Sequence, residues 1–327
     1  MASGATVIIL PSQFPEAVRR DLIELLRTRT VNHKFHYDSI KQAQKWLALH
    51  EAYSPARQDA ECRAIYDAGF TAAAARMGAG PVHLIGLGCG GGQKEVRLLQ
   101  LLNQPTAETE YTPVDVSVAL VLEAREAAIA AMPDMKCLPV VCDLATEEKL
   151  EETLAAQTSA GAARLVTFFG MIPNFEPRLI LPRLAGLLRR DDLLLFSANL
   201  APGPDYAAGT KRILPLYDNE LTRDWLMTLL LDLGVEHADG VMRIGIEDGQ
   251  EGLKRVVADF EFKRSRRIVA GGVAIDFQPG EIVRLFFSYR HTPQLVRTLL
   301  ATNRIEVLEQ WVTKSEEEGV FLCRKRK

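Results

Sequence analysis

Long apolar runs, paired cysteines and an excess of one charge are all missing from this sequence. The 327 residues carry a net charge of −3, so nothing steers the whole protein toward nucleic acid or an anionic membrane surface. No segment approaches the roughly 18–20 apolar residues that span a bilayer, and the N-terminal residues lack the pattern of a signal peptide. We therefore expect a cytoplasmic protein that binds neither nucleic acid nor membranes.

The usual patterns for metal ions, disulfides and hydrolytic triads are absent too. The five cysteines are scattered and form no CxxC pair, which argues against structural zinc or a disulfide framework. The six histidines lie in no HxH or HExxH motif, so we predict no metal site. Ser197 and Ser288 lie in no G-x-S-x-G elbow, which leaves a hydrolase triad unsupported.

What is present is the pattern of a folded α/β enzyme. In residues 82–198, short apolar strands alternate with amphipathic helices. Such alternation predicts a parallel sheet with helices on both faces, a doubly wound α/β domain. The first 75 residues or so are predicted to be helical, and residues 206–279 break the rhythm with one helix and several strands. A strand, a helix and a strand-turn-strand hairpin are predicted from residue 282 onward.

The strongest site signal is the glycine-rich turn at residues 86–92, between the first strand of that region and a helix. Glycine lets the backbone approach a ligand where a side chain would collide. The start of the following helix also directs free N–H groups at polar ligand atoms. Such a turn alone is weak evidence, because generic α/β connections contain it as well. Within it we expect Cys89 to be a small side chain beside the ligand rather than a reactive thiol.

Three further features lie at the offsets of a nucleoside-binding unit. Asp115 ends the second strand, where a carboxylate can accept both ribose hydroxyls. Asp143, followed by Leu144, ends the third strand, where an acid can accept the exocyclic amine of adenine. Phe169 lies at the end of the fourth strand. Because the carboxyl ends of parallel strands meet at one edge, we expect these positions to line one crevice. Either acid could instead be an N-cap or turn residue.

These features leave two ligand classes to compare. The turn departs from the G-x-G-x-x-G of nicotinamide dehydrogenases, and acids follow both the second and the third strand. Residues 304–327 also suit the reversed hairpin that closes methyltransferase sheets. Together they favour S-adenosylmethionine over a dinucleotide, and a methyltransferase over a dehydrogenase.

Seven short motifs, in order along nearly the whole chain, are similar to those of one known family. They resemble its F-Y-D (residues 36–38), E-Y-Y-P-T-R (51–57), L-G-S-G-x-x-x-K (86–94), V-D-x-S (114–117), I-G-N-F-x-P (172–177), A-Y-D (216–218) and S-x-K (287–290). The sequence thus resembles the histidine-specific Nα-methyltransferases of ergothioneine biosynthesis, a family that also includes fungal tryptophan-type amino-acid N-methyltransferases.

The resemblance implies a Rossmann-like class I methyltransferase sheet with a second, smaller α+β substrate domain. It implies that residues 61–205 and 282–327 form the S-adenosylmethionine-binding domain, and that residues 1–60 and 206–281 form a substrate-binding lid. The residues expected to contact the cofactor are Gly86, Gly88, Gly90, Lys94, Asp115, Asp143, Leu144 and Phe169. Those expected to contact the substrate are Tyr37, Tyr53, Asn174, Tyr217, Phe286 and Ser288.

Individual roles follow from the same resemblance. Asn174 would hold the amino group and carboxylate of the substrate, while the hydroxyls of Tyr37 and Tyr217 would reach the carboxylate. Ser288 would face the substrate side chain. Asn174 and Tyr217 are therefore the predicted catalytic residues.

Departures from the family's motifs bear on the methyl acceptor. The family's imidazole-binding Glu, two residues before the matched serine, is Phe286 here; Pro173 replaces a glycine, and Ser54 replaces a tyrosine. Phe cannot accept a ring N–H, and an unpaired buried polar ring costs about 1–3 kcal/mol. We therefore predict N-methylation of an amino acid or related small amine other than histidine, by a monomer or weak homodimer. Two alternatives stay open: an O-, S- or C-methyltransferase of a secondary-metabolite pathway, or a catalytically silent cofactor-binding homologue.

Overall fold

The computed structural model describes residues 5–54, 59–103 and 108–326. The helices are α1 (Pro15–Thr28), α2 (Ile40–Tyr53), α3 (Ala60–Met77), α4 (Gln93–Leu102), α5 (Val118–Ala131), α6 (Leu150–Gln157), α7 (Pro177–Leu187), α8 (Tyr206–Arg212), α9 (Glu220–Asp232) and α10 (Pro293–Thr302). The strands are β1 (Ile8–Ile9), β2 (Val82–Leu87), β3 (Thr109–Asp115), β4 (Lys136–Cys137), β5 (Val140–Val141), β6 (Ala163–Phe168), β7 (Leu193–Asn199), β8 (Gly240–Asp248), β9 (Lys254–Phe262), β10 (Arg266–Ala270), β11 (Val273–Phe277), β12 (Ile282–Arg290), β13 (Ile305–Val312) and β14 (Glu318–Lys325).

The larger sheet has the order β1-β5-β3-β2-β6-β7-β14-β13, with β4 beside β3. The pairs from β1 through β7 are parallel, whereas β14 runs antiparallel to both β7 and β13. Every residue of β2 is buried, as expected for a central parallel strand covered on both faces. The predicted doubly wound, Rossmann-like class I sheet with a reversed C-terminal hairpin is confirmed.

Two apolar cores lie on the opposite faces of this sheet. On one face, Tyr66 and Phe70 of α3 pack with Leu98 of α4. On the other face, Leu181 of α7 packs with Leu300 of α10. Helices on both sides leave the carboxyl ends of the strands as the open edge, which is where ligands bind in open α/β sheets.

A second, smaller sheet consists of β12, β9 and β8, all antiparallel, and β10 and β11 form a separate hairpin. Its core contains Leu26 of α1, Trp225 of α9 and Phe260 of β9. The indole N–H of Trp225 donates to the carbonyl of His36 at 2.9 Å. The single-turn helix His33–His36 is thereby fixed between α9 and the small sheet.

Two segments pair with strands of the other predicted domain. Residues 282–290 were grouped with the methyltransferase domain, but β12 pairs with β9, because its buried residues Val283 and Leu285 complete the second core. Ile8–Ile9 was grouped with the lid, but it pairs with β5 in the larger sheet. A two-residue strand is too short to give a periodic signal. The remaining domain boundaries stay predictions.

Two other expectations, on one motif and on membrane-spanning segments, can be compared with the described residues only. Residues 55–57 of the segment that resembles E-Y-Y-P-T-R lie outside the described residues. Within the described ranges, no helix is long and apolar enough to cross a membrane.

Candidate active site

A cavity of about 360 Å³ lies at the carboxyl ends of β2, β3, β5, β6 and β7, between the larger sheet and the elements of the smaller one. Thirteen of the predicted residues line it: Tyr37, Tyr53, Gly88, Gly90, Lys94, Asp115, Asp143, Leu144, Phe169, Asn174, Tyr217, Phe286 and Ser288. The predicted convergence on one crevice therefore holds.

Gly86 is the exception, since it does not line the cavity. It lies within β2, where an added Cβ would come within 3.2 Å of both Glu95 Cγ and the Tyr111 hydroxyl. Gly86 permits close packing beneath the turn, so its prediction as a cofactor contact is not supported by its position.

The turn itself requires glycine for two reasons. Gly88 and Gly90 have φ of +69° and +51°, a region that side chains disfavour. A Cβ on Gly88 would overlap Met171, and a Cβ on Gly90 would lie 2.8 Å from the Trp46 ring. Trp46 of α2 therefore covers the turn from the side of the smaller sheet.

Asp115 is buried at the end of β3 with both oxygens engaged by backbone. Its Oδ2 accepts from the N–H of Gly90 at 3.1 Å, and its Oδ1 accepts from the N–H of Ser117 at 3.1 Å. Burial raises the pKa of Asp115 to about 6, although these backbone donors act in the opposite direction. Each carboxylate oxygen keeps a further lone pair, so Asp115 can accept the two hydroxyls of a ribose.

Asp143 has one oxygen in use and one without a partner. Its Oδ1 accepts from the N–H of Ala145 at 2.9 Å, which is a turn contact. Its Oδ2 is buried with no hydrogen-bond partner in the described part of the chain. A buried acceptor is normally satisfied, and the exocyclic amine of adenine would satisfy this one. The residues at this edge thus fit the nucleoside of S-adenosylmethionine.

Lys94, in the first turn of α4, belongs to a buried polar network that the sequence did not reveal. Its Nζ donates to the Tyr66 hydroxyl at 2.9 Å and lies 4.2 Å from that ring's centroid. Tyr66 in turn donates to Glu318 Oε1 at 2.6 Å, and Asn199 donates to Glu318 Oε2 at 3.1 Å. Burial raises the pKa of Glu318. The network joins α3, α4, β7 and β14, which meet only in the folded chain.

The side chains of β12 that line the cavity form a second polar group. Phe286, Ser288 and Arg290 alternate along the strand and all line the cavity. The hydroxyls of Ser288 and Tyr217 lie 2.8 Å apart, and Arg290 Nη2 donates to the Tyr217 hydroxyl at 2.8 Å. Arg290 was not predicted as a site residue, although it occupies the last position of the S-x-K match.

Tyr37 and Asn174 line the same cavity as this group and the cofactor edge. Burial raises the pKa of Tyr37, and the negative charges of Asp115 and Tyr217 raise it further. Asn174 ends the single-turn helix Ile172–Asn174, which follows β6. Tyr53, at the end of α2, is 40% exposed and therefore stands at the cavity mouth.

The rings of Phe286, Tyr217 and Trp225 form an aromatic wall of the cavity. Trp225 and the neighbouring His33 were not predicted as site residues. The ring of Phe286 lies 6.1 Å from that of Tyr217 and 5.9 Å from that of Trp225. The His33 ring lies 5.1 Å from Phe286, and both of its nitrogens are buried without a partner in the described ranges. Burial and neighbouring His36 lower the pKa of His33 to about 3, so His33 is neutral at physiological pH.

Comparison with known proteins found one matching family model and several similar solved structures. The magnesium protoporphyrin IX methyltransferase of Synechocystis PCC 6803, with bound S-adenosylhomocysteine, is 13% identical with a TM-score of 0.44, covering 95% of this chain and 100% of that one. A putative methyltransferase from Thermobifida fusca YX is 10% identical with a TM-score of 0.47, covering 92% and 97%. The 1,6-didemethyltoxoflavin-N1-methyltransferase of Burkholderia thailandensis is 13% identical with a TM-score of 0.39, covering 87% and 91%. The comparison with curated proteins gave no match.

The model of the histidine-specific, S-adenosylmethionine-dependent methyltransferases matches residues 18–231, more than half of the chain. The match includes the glycine turn, Asp115, Asp143, Asn174 and Tyr217. The chain therefore belongs to this family, and it is an S-adenosylmethionine-dependent methyltransferase.

Proposed function

We propose that the protein N-methylates the amino group of an amino acid other than histidine. The observation that carries the proposal is the position of Asn174, Tyr37 and Tyr217 in the same cavity as Asp115. An amide and two phenolic hydroxyls beside the cofactor edge can hold an amine and a carboxylate by hydrogen bonds. The rings of Phe286, Tyr217 and Trp225 line the same cavity and can contact the side chain of the acceptor.

The chemistry needs positioning more than acid–base catalysis. Bound S-adenosylmethionine supplies an electrophilic methyl group on a sulfonium. Asp115 and Asp143 would hold the nucleoside, while Asn174 orients the amine with its lone pair toward the donor. In-line approach at about 3–3.5 Å is the main source of acceleration in such a transfer. Burial of the amine lowers its pKa and favours the neutral, reactive form.

The wall at Phe286 supports an acceptor less polar than histidine. The Phe286, Tyr217 and Trp225 rings present apolar surface, which suits an aromatic or aliphatic side chain. His33, whose ring lies next to Phe286, is neutral. A neutral ring nitrogen makes a weaker hydrogen bond to an imidazole N–H than a carboxylate does.

The test is a methyl-transfer assay with histidine and a panel of amino acids, read by product mass and fragmentation. We expect N-methylated product from an aromatic or aliphatic amino acid, with kcat/KM at least about tenfold above that for histidine, a difference of about 1.4 kcal/mol. Efficient trimethylation of histidine, or methyl groups on oxygen, sulfur or carbon, would contradict the proposal. Tight S-adenosylhomocysteine binding without turnover of any amine would identify a silent homologue.

Asn174→Ala in the same assay tests the role of the amide. We expect kcat/KM to fall by about 100-fold, because an orienting contact to the reacting nitrogen is lost. S-adenosylhomocysteine binding should stay within about twofold of the parent protein.

A further inference from the structure

We propose that Arg290 is the anion-binding residue of the acceptor site, so that the acceptor carries a carboxylate as well as its nitrogen. This deepens the proposed function, because it separates amino acids from the corresponding decarboxylated amines. Binding of a carboxylate at the β12 side of the cavity does not depend on which acceptor atom receives the methyl group.

The first observation is that Arg290 is buried with its donors only partly used. The residue is 3% exposed and lines the cavity. Its Nη2 donates to the Tyr217 hydroxyl at 2.8 Å, and its Nη1 lies 3.4 Å from the Leu200 carbonyl oxygen. Its Nε is buried with no partner in the described part of the chain. A guanidinium has five N–H donors, so this one has capacity left for a ligand.

The second observation is that the charge of Arg290 has no carboxylate partner. Within residues 5–54, 59–103 and 108–326, no carboxylate oxygen lies within 4 Å of its guanidinium. Arg164, which is similarly buried, pairs with Asp192 at 3.3 Å. On the same strand as Arg290, Arg284 pairs with both Glu247 and Asp259. A buried charge is costly unless it is paired, and the cavity is where the missing anion can enter.

Among the acids that line the cavity, Glu318 is the one whose pKa Arg290 affects, so it could act as the anion for Arg290. Its two oxygens accept from Tyr66 and Asn199, and it lies beyond ion-pair distance from Arg290. Arg290 holds the pKa of Glu318 somewhat lower than burial alone would. Glu318 is thus an electrostatic neighbour of Arg290 that is already bound to other donors.

The third observation is the order of side chains along β12. Phe286, Ser288 and Arg290 face the cavity in turn, as apolar, hydroxyl and cationic groups, spread over about 13 Å at the rise of an extended strand. Tyr217 links the last two by hydrogen bonds. This gradient fits an acceptor whose apolar part lies against Phe286 and whose carboxylate lies at Arg290 and Tyr217. Arg290 can meet a carboxylate with two parallel N–H donors, which the planar guanidinium favours.

The experiment measures binding of matched pairs to the protein saturated with S-adenosylhomocysteine. The pairs are tryptophan and tryptamine, tyrosine and tyramine, and phenylalanine and phenethylamine, by titration calorimetry. We expect at least one acid to bind ten- to 100-fold more tightly than its decarboxylated partner. Arg290→Gln should abolish that preference, and Arg290→Lys should restore part of it. Arg297→Gln, an equal charge change at an exposed position of α10, should leave the preference unchanged.

Each result has a distinct meaning. Equal binding of acids and amines by the parent protein, or an unchanged preference in Arg290→Gln, would overturn the inference. Weaker S-adenosylhomocysteine binding in Arg290→Gln with unchanged acceptor preference would assign Arg290 to the cofactor and would also overturn it. An acid that binds through Arg290 but is methylated on oxygen would contradict the proposed function and support this inference. Circular dichroism and thermal melting confirm that the Gln and Lys variants are folded.

Discussion

Among single residues, Asp115 carries the clearest pH-dependent consequence. Its pKa, raised by burial from the ordinary 3.8 to about 6, belongs to the protein without ligand. Ribose hydroxyls favour the ionised form because they donate to it. The ligand-bound state therefore holds fewer protons near pH 5 than the free state does.

We expect the affinity for S-adenosylhomocysteine to rise with pH until about pH 6 and then to level off. By linkage, at pH 5 it should be about tenfold weaker than at pH 8. Titration calorimetry across pH 5–8 measures this. Asp115→Asn should bind more weakly with a flat profile in that range. A flat profile for the parent protein would show that Asp115 does not contact the ligand.

Gly90 allows a second prediction about one residue. In Gly90→Ala, the new Cβ meets Trp46 at 2.8 Å, so the turn or α2 must move. We expect at least a tenfold loss of S-adenosylhomocysteine affinity. Gly78→Ala is the matched control, since Gly78 also has a positive φ, +74°, but nothing within 4 Å of the added Cβ. It should cost about 1–2 kcal/mol of stability without changing affinity. Equal affinity losses in both variants would exclude a role for the contact with Trp46.

At the scale of elements, α4 carries a buried acid underneath the glycine turn. Glu95 is 4% exposed, and Thr167 of β6 donates to its Oε1 at 3.0 Å. Burial raises the pKa of Glu95 from 4.5 to about 7. Because the folded pKa exceeds the unfolded one, the folded form binds more protons between about pH 4.5 and 7. Glu95 therefore makes the protein less stable as pH rises through that window.

Glu95→Gln should remove this loss while it keeps the bond from Thr167. We expect the variant to be more stable than the parent at pH 8, by on the order of 3 kcal/mol at most, and to differ little at pH 5. Urea unfolding at both values measures the difference. The control is Glu123→Gln, an exposed acid of α5, which should show no such pH dependence. A variant that is less stable than the parent at pH 8 would show that ionised Glu95 does not destabilise the fold.

At the scale of the whole molecule, Glu176 links the smaller sheet by hydrogen bonds to the segment that carries Asn174. Its Oε1 accepts from Arg255 of β9 at 2.9 Å, and its Oε2 accepts from the Tyr289 hydroxyl of β12 at 2.8 Å. These bonds connect the strand that carries Ser288 and Arg290 with the carboxyl edge of the larger sheet. Glu176 is therefore expected to act as a positioning residue for the acceptor.

Glu176→Gln should raise the KM for the acceptor about three- to tenfold, because the charged bond to Arg255 weakens. The affinity for S-adenosylhomocysteine should change by less than twofold. Glu306→Gln, which breaks an exposed ion pair with Arg324 in the C-terminal hairpin, is the matched control. A fall in kcat with KM unchanged would contradict a positioning role for Glu176.

Much of the larger sheet and of the cofactor edge followed from local sequence. Strand and helix periods are set by neighbouring residues, so the alternating strands and helices predicted within residues 82–198 are present. Asp115 and Asp143 were found because each directly follows its strand, and parallel topology brings strand ends together. The family's short motifs then placed Asn174, Tyr217 and Ser288 at the same cavity.

Only the tertiary structure decided the rest, because it depends on contacts between distant parts of the chain. The sheet to which β12 belongs is a choice between two cores of similar apolar character, which a single strand's pattern does not distinguish. Lys94 and Glu318 share a network across 224 positions, and Arg290 meets Tyr217 across 73. The positions of Glu95 and Tyr111 were needed to show that Gly86 is closely packed beneath the turn. Local periodicity specifies elements, whereas packing between elements specifies the acceptor site.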